Sequence, residues 1–293
     1  MGKVTVVSWP NDANLAIAMA EIADTPVEWP ALGRVELGPV RLIVVPDEVT
    51  FSRMSRGQVP QWGVGLAFPG SGTIVLRADD VAIRSTLQHE LAHIALHAAV
   101  DVRVPLWFDE GYAAWAAGEF GRLENWGLNL AVIRGRVPTL GELDAALRGS
   151  SHTAASAYAL AMSAVVELAH RNPSRTLAPL LQRLRAGTGF EAAVIATTGF
   201  PLDRFDTMWR ASVKRRYGWL TWLAAGGMWL VLGGVVVVAH WYRRRRDLPR
   251  RVALDQGWEV ADDWRLEEGS GIAPADTVPG EGHSPETDQD QLV

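Results

Sequence analysis

Gln88-His89-Glu90-Leu91-Ala92-His93 is the stretch from which the fold can be read. On an α-helix His89 and His93 stand one turn apart on the same face, with about 6 Å between their Cβ atoms. Two imidazoles so placed can converge on one metal ion at about 2.0–2.1 Å. Glu90 falls beside them, where a carboxylate can serve as general base toward a water activated by the metal. Leu87, Leu91, Ile94 and Ala95 supply an apolar side on which such a helix can be buried.

A zinc ion that does chemistry usually keeps three protein ligands and one open position. The third candidate is Glu110, in Trp107-Phe108-Asp109-Glu110-Gly111-Tyr112-Ala113, with sixteen residues between it and His93. Pro105 breaks the chain, and a helix starting behind it can pack on the first and aim Glu110 at the same ion. The competing reading of Glu110 is a first-turn carboxylate favoured by the helix dipole. Asp109 points about 100° away around the helix, so it is the alternative ligand or an acceptor that orients His89 or His93. His97 lies about 12 Å from His89 on a straight helix, with no Gly near Leu96 to turn the chain back, and reads as a helix-end residue. His152, His170, His240 and His283 read as solvent-facing or interfacial. The set predicts one Zn2+ per chain, held by His89, His93 and Glu110.

Composition bounds the rest. The chain has 293 residues, 48% of them apolar, which is enough for a substantial core. It contains no cysteine, so disulfides, Cys-based zinc sites and thiol catalysis are excluded. The net charge of -5 averages a basic block, Lys214 to Arg251, and an acidic tail from Asp255 onward. No nucleic-acid partner is expected. The tail also contains Pro and Gly and reads as disordered, with Trp258 and Trp264 as a possible short binding segment.

Trp219 to Ala239 is a run of 21 residues in which only Thr221 is polar. At 1.5 Å per residue it is long enough to cross a hydrocarbon core of about 30 Å, and it predicts a single transmembrane helix spanning the bilayer through residues 219–239. Tyr217, Trp219, Trp222, Trp241 and Tyr242 would form interfacial belts. Lys214, Arg215 and Arg216 precede the run; Arg243 to Arg246, Arg250 and Arg251 follow it. The larger cluster predicts a single-pass protein of the cell membrane with a cytoplasmic C-terminal tail and an extracytoplasmic N-terminal domain. That topology needs an export signal. The opening M-G-K-V-T-V-V-S-W-P lacks an apolar h-region, and the apolar stretch Leu15 to Ile22 is broken by Glu21. Two readings stay open, a start upstream of Met1 or a domain that remains in the cytoplasm, and the flanking charge favours the first.

Elsewhere the chain reads as strands at Val4 to Ser8, Val40 to Val45 and Thr73 to Leu76. Helices are expected at Asn14 to Ala23, Val81 to His97, Leu106 to Ala117, Thr139 to Leu147, Ala154 to His170, Thr176 to Arg185 and Leu202 to Tyr217. Met54 to Gly72, rich in Gly, Pro and Ser, reads as a loop. The expected class is α+β: a domain over 1–216, strand-rich in 1–80 and helical in 81–216, then a membrane segment at 217–242 and a basic-then-acidic segment at 243–293.

On H-E-L-A-H, V-P-L-W-F-D-E-G-Y-A-A-W, the flanking stretches Trp62 to Ala67 and Thr73 to Leu76, and later Ala157-Tyr158-Ala159, Gly187 to Glu191 and Phe205 to Trp209, the chain resembles the gluzincins, and within them the bacterial peptidase MA-like family. The resemblance covers most of residues 60 to 216. The family usually has Asn before the ligand Glu, where this chain has Asp109. The resemblance implies a zincin-like fold with an edge strand above the cleft that pairs with an extended peptide, for which Thr73 to Leu76 fits by position. It also implies that Tyr158 donates a hydrogen bond to the oxyanion, against the plainer reading of a packed core Tyr. The expected function is that of a membrane-anchored zinc peptidase acting on a peptide or protein substrate, with Glu90 as base. The rivals are a catalytically silent binding or assembly module on the same fold and a zinc hydrolase of a non-peptide amide.

Overall fold

The computed structural model describes residues 4–55, 63–119, 137–149, 151–222 and 228–255. The chain divides into two compact units, Met1–Leu232 and Gly233–Val293. In the first, strands β1 (Val4–Ser8), β4 (Val40–Val45) and β6 (Thr73–Arg77) are parallel neighbours, and β5 (Gly65–Phe68) pairs antiparallel with β6, giving the order β1-β4-β6-β5. A small antiparallel ribbon, β2 (Glu28–Trp29) with β3 (Gly33–Arg34), lies between β1 and β4 in sequence.

Period-two alternation assigns the two faces of the sheet. Val40, Leu42 and Val44 join the main core with Ile74 and Leu76, alongside α1 (Ala13–Asp24) and α3 (Ile83–Ala99). Val45 and Val75 face the other way and pack with Phe51 of α2 (Glu48–Met54). β5 and β6 are joined by a short 3-10 turn, Pro69–Ser71, ending at Gly72 with φ of 62°. A Cβ on Gly72 would lie 2.4 Å from the Pro39 carbonyl oxygen, so only glycine lets this turn sit against the start of β4.

The strand expected to line the cleft was Thr73 to Leu76, and this is corrected. β6 is an inner strand between β4 and β5, and the edge next to α3 is β5. Ile74, Val75 and Leu76 are all buried, as a strand covered on both faces must be.

The helical part contains α4 (Leu106–Ala116), α5 (Leu140–Leu147), α6 (Ser151–Arg171), α7 (Ala178–Arg185), α8 (Phe190–Thr198) and α9 (Leu202–Trp222). α4 packs closely on α6 because Gly111 leaves room: a Cβ there would lie 2.5 Å from the Ala161 carbonyl oxygen. Trp107 and Phe108 of α4 meet Phe190 and Phe205 in an aromatic cluster, with Phe108 and Phe190 centroids 4.9 Å apart. Asp144 accepts the Trp107 amide at 2.7 Å, satisfying an orphan donor at the start of α4.

The expected transmembrane helix is overturned. Among the described residues no helix is long and apolar enough to cross a membrane. The 219–239 run is divided: 219–222 end α9, 223–227 lie outside the described residues, and 228–239 open α10 (Met228–Asp255). The apolar part of α10 spans about 18 Å at 1.5 Å per residue, short of a core of about 30 Å, before the same helix runs into Arg243 to Arg246. The bilayer as a partner, the single-pass location and the orientation read from flanking charge fall with it. Trp241 engages a cation instead, the Arg245 guanidinium 3.8 Å from its ring centroid. The tail from 256 onward lies outside the described residues.

Candidate metal centre

α3 carries the histidine motif, and its start is held by one side chain. Asp80 accepts the Ala82 amide at 2.9 Å and the Thr86 hydroxyl at 2.6 Å. Leu87, Leu91, Ile94 and Ala95 bury one side of the helix, and His89, Glu90 and His93 face a cleft of about 780 Å³. Leu66 and Ala67 of β5 line that cleft together with Asp109, Glu110, Leu147, Arg148 and Tyr158.

His89, His93 and Glu110 come together with donor atoms within 4.8 Å of one another. His93 Nε2 is 3.2 Å from His89 Nε2, and Glu110 Oε2 lies 3.4 Å from the latter and 3.5 Å from the former. A regular tetrahedron with bonds of 2.0–2.1 Å has edges of about 3.3–3.4 Å. The three donors therefore outline one face of such a tetrahedron. Two imidazoles and a carboxylate are also a donor set that suits zinc, so the residues fit the ion.

Behind the donors stands a ring of partners. His93 Nδ1 is 2.7 Å from Asp109 Oδ1, and His97 Nε2 is 2.7 Å from Asp109 Oδ2. Asp109 thus bridges two imidazoles through their N–H groups and leaves His93 Nε2 free to face the ion. His97 lies in the last turn of α3, as expected, and is also tied to Asp109 and lines the cleft. Glu119, which sequence reasoning missed, puts Oε1 3.6 Å from His89 Nδ1 and accepts the Ser85 hydroxyl at 3.5 Å. Its placement comes from the end of α4. The Glu119 amide bonds back to the Ala114 carbonyl at 3.1 Å and the Gly118 amide to Trp115 at 3.2 Å, with Gly118 at φ of 72°. This is a Schellman turn, and the Gly-Glu pair after Ala117 was the signal that could have disclosed it.

Glu90 is buried, 7% exposed. Burial pushes its carboxyl above the ordinary value, opposed by His89 and His93, and the Ala67 backbone amide donates to it. Gly65 makes that approach possible, since a Cβ there would lie 2.7 Å from Glu90 Oε1. Tyr158 packs edge-on to His89 at 6.1 Å between ring centroids. Burial and the Glu110 and Glu90 carboxylates push its phenol well above the ordinary value, so it keeps its proton.

The electrostatics of the cluster favour positive charge on its imidazoles. Burial disfavours charge on His89, but Glu110 and Glu119 outweigh it and push the imidazole up to about 9. Burial likewise opposes, and Asp109 and Glu110 override, for His93, which is raised well above its usual value. Burial would raise Glu110, yet His93 and His89 bring it down to about 2. Asp109 is lowered in the same way by His93 and His97. The cage is one in which carboxylates demand positive charge, whether from protons or from a cation.

Residues 51–215, more than half of the chain, match the family model of the Peptidase MA superfamily. No curated protein matches the chain. That match runs from within α2 through both helices that supply the His/His/Glu cluster, and the chain accordingly belongs to the Peptidase MA superfamily as a gluzincin-like metallopeptidase domain.

Proposed function

We propose that the domain hydrolyses peptide bonds as a zinc peptidase. Family membership and the His/His/Glu cluster support a zinc-dependent hydrolase. The observation that carries the reading to peptides is the pairing of that cluster with a sheet edge: β5 borders α3 and its Ala67 amide touches Glu90. An extended peptide can add to such an edge through main-chain hydrogen bonds, which places its backbone beside Glu90.

His89, His93 and Glu110 would hold the ion. Bound zinc supplies Lewis acidity, polarising a carbonyl and bringing the pKa of water toward about 7. Glu90 takes a proton from the attacking water and hands it to the departing amine. The Ala67 amide of β5 favours its ionised form. Tyr158, retaining its proton, donates to the oxyanion that develops on the scissile carbonyl. Asp109 fixes the ring of His93, and Glu119 stands behind that of His89.

The test uses the full chain loaded with zinc and an unfolded protein substrate such as casein. Wild type should cleave it, and Glu90→Gln should lose activity by at least about a hundredfold, the scale of a lost general base, while keeping its zinc. Equal cleavage by wild type and Glu90→Gln would remove Glu90 from the reaction. No cleavage by wild type of any peptide would remove the peptidase reading.

A further inference from the structure

Among the arginines, lysines and carboxylates described in the cleft, the mechanism leaves one unused. Arg148 follows the last turn of α5 and lines the cleft with Leu147. Among the described residues that line the cleft it is the only arginine or lysine. Its guanidinium makes one hydrogen bond, from Nη1 to the Asp144 carbonyl of its own helix at 3.4 Å. No carboxylate pairs with it among the described residues. The contrast with Arg77, Arg171 and Arg210 is chemical: each of these donates to an acid, Asp79, Glu167 or Asp206, at 3.0 Å or less.

We infer that Arg148 is a specificity-determining residue that binds a substrate carboxylate, so that the cleft prefers acidic peptides. This rests on the peptidase reading and deepens it. The other fixed charges on the cleft wall are carboxylates, Glu90, Asp109 and Glu110, already engaged with histidines or the β5 backbone. Away from the His/His/Glu cluster, the arginine or lysine that an anionic side chain meets among the described lining residues is Arg148. A guanidinium presents five donors in a fixed fork that matches a carboxylate bidentately, and among the described residues only the Asp144 carbonyl engages it. The carboxylate can come from an acidic side chain or from the C-terminus of the peptide. The shared chemistry is the same and the experiment separates the two.

Binding is measured by fluorescence anisotropy on full-length, zinc-loaded Glu90→Gln, so that no turnover is needed. The probes are labelled, C-terminally amidated peptides that carry Glu or Gln at each position in turn, and a Gln peptide with a free C-terminus. At one position Glu should bind about tenfold or more tighter than Gln, the scale of a hydrogen-bonded charge. If instead only the free C-terminus gains affinity, the carboxylate is that of the chain end and Arg148 is its anchor. Arg148→Gln should abolish the preference and Arg148→Glu should invert it toward Lys-bearing peptides. High salt should weaken it in the parent protein, a readout that does not depend on either variant folding. Equal binding of Glu, Gln and free-carboxylate peptides overturns the inference while leaving cleavage, and thus the peptidase reading, intact. A preference that survives Arg148→Glu also overturns it. Failure of every peptide to bind or be cleaved removes both.

Discussion

At His89 and His93 a metal ion and protons compete for the same nitrogens. In the metal-free protein His89 is raised to about 9 and His93 well above its usual value, whereas Glu110, at about 2, is ionised throughout the neutral range. Zinc uptake below pH 9 must therefore expel protons from the imidazoles, and apparent affinity should rise with pH through that range. Ordinary imidazoles, at about 6.5, would have lost their protons by pH 7.5 and the dependence would level off there. Zinc titrations at pH 6.5, 7.5 and 8.5 with a competing chelator distinguish the two. A flat response above 7.5 would show that the carboxylate cage does not hold those protons. At the same scale, Tyr158→Phe keeps the ring packed on His89 and removes only the hydroxyl. If that hydroxyl meets the oxyanion, kcat should fall by about a hundredfold or more with zinc content unchanged, and an unaltered kcat would return Tyr158 to a packing role.

β5 is the element whose geometry the site depends on most and whose sequence declared it least. Gly65-Leu66-Ala67-Phe68 has four residues, no β-branched side chain and no alternation, inside a Gly- and Pro-rich stretch, so local pattern argues for a loop. It becomes a strand because β6 offers it an antiparallel partner, a tertiary cause that propensity cannot see. α3 is the opposite case. Its motif, apolar face and length were all legible, and the helix is found at Ile83–Ala99 with both histidines facing the cleft. Periodicity did not disclose Glu119 or Arg148, because both follow helix ends, where side-chain direction is set by the turn; for Glu119 the Gly-Glu pair of that turn was the available signal. The prediction proper to this element concerns Gly65. A Cβ there would lie 2.6 Å from Thr86 Cγ2 and 2.7 Å from Glu90 Oε1, so Gly65→Ala must displace the carboxylate or the strand. Activity should fall about tenfold or more while zinc is retained, because a displacement of about 1 Å at a catalytic group costs on that order or above. Activity equal to wild type would show that Glu90 is not held where the strand places it.

Across the whole molecule, the long apolar run at 219–239 invited one continuous reading, but length matters in the folded element and not in the string. α10 carries only its later part and reaches Arg243 within the same helix, and among the described residues no helix is long and apolar enough to cross a membrane. The metal site poses a question on the same scale. Its ligands come from two helices with different partners: α3 packs on the sheet, and α4 packs on α6. An ion shared by His89, His93 and Glu110 thus ties the strand-bearing part of the first unit to its helical part, and anything that binds only the folded state stabilises it. At free zinc a hundredfold above Kd the gain is about 2.7 kcal/mol, which for a domain of about 200 residues is a rise in Tm of about 5–10 °C. Differential scanning calorimetry of the full chain with zinc and with excess chelator measures this directly. The rise should vanish in His93→Ala, and it should shrink in Glu110→Gln, which keeps the shape of the ligand but weakens the donor. Unchanged melting with and without zinc would mean that the three donors, close as they are, do not hold an ion between the two helices.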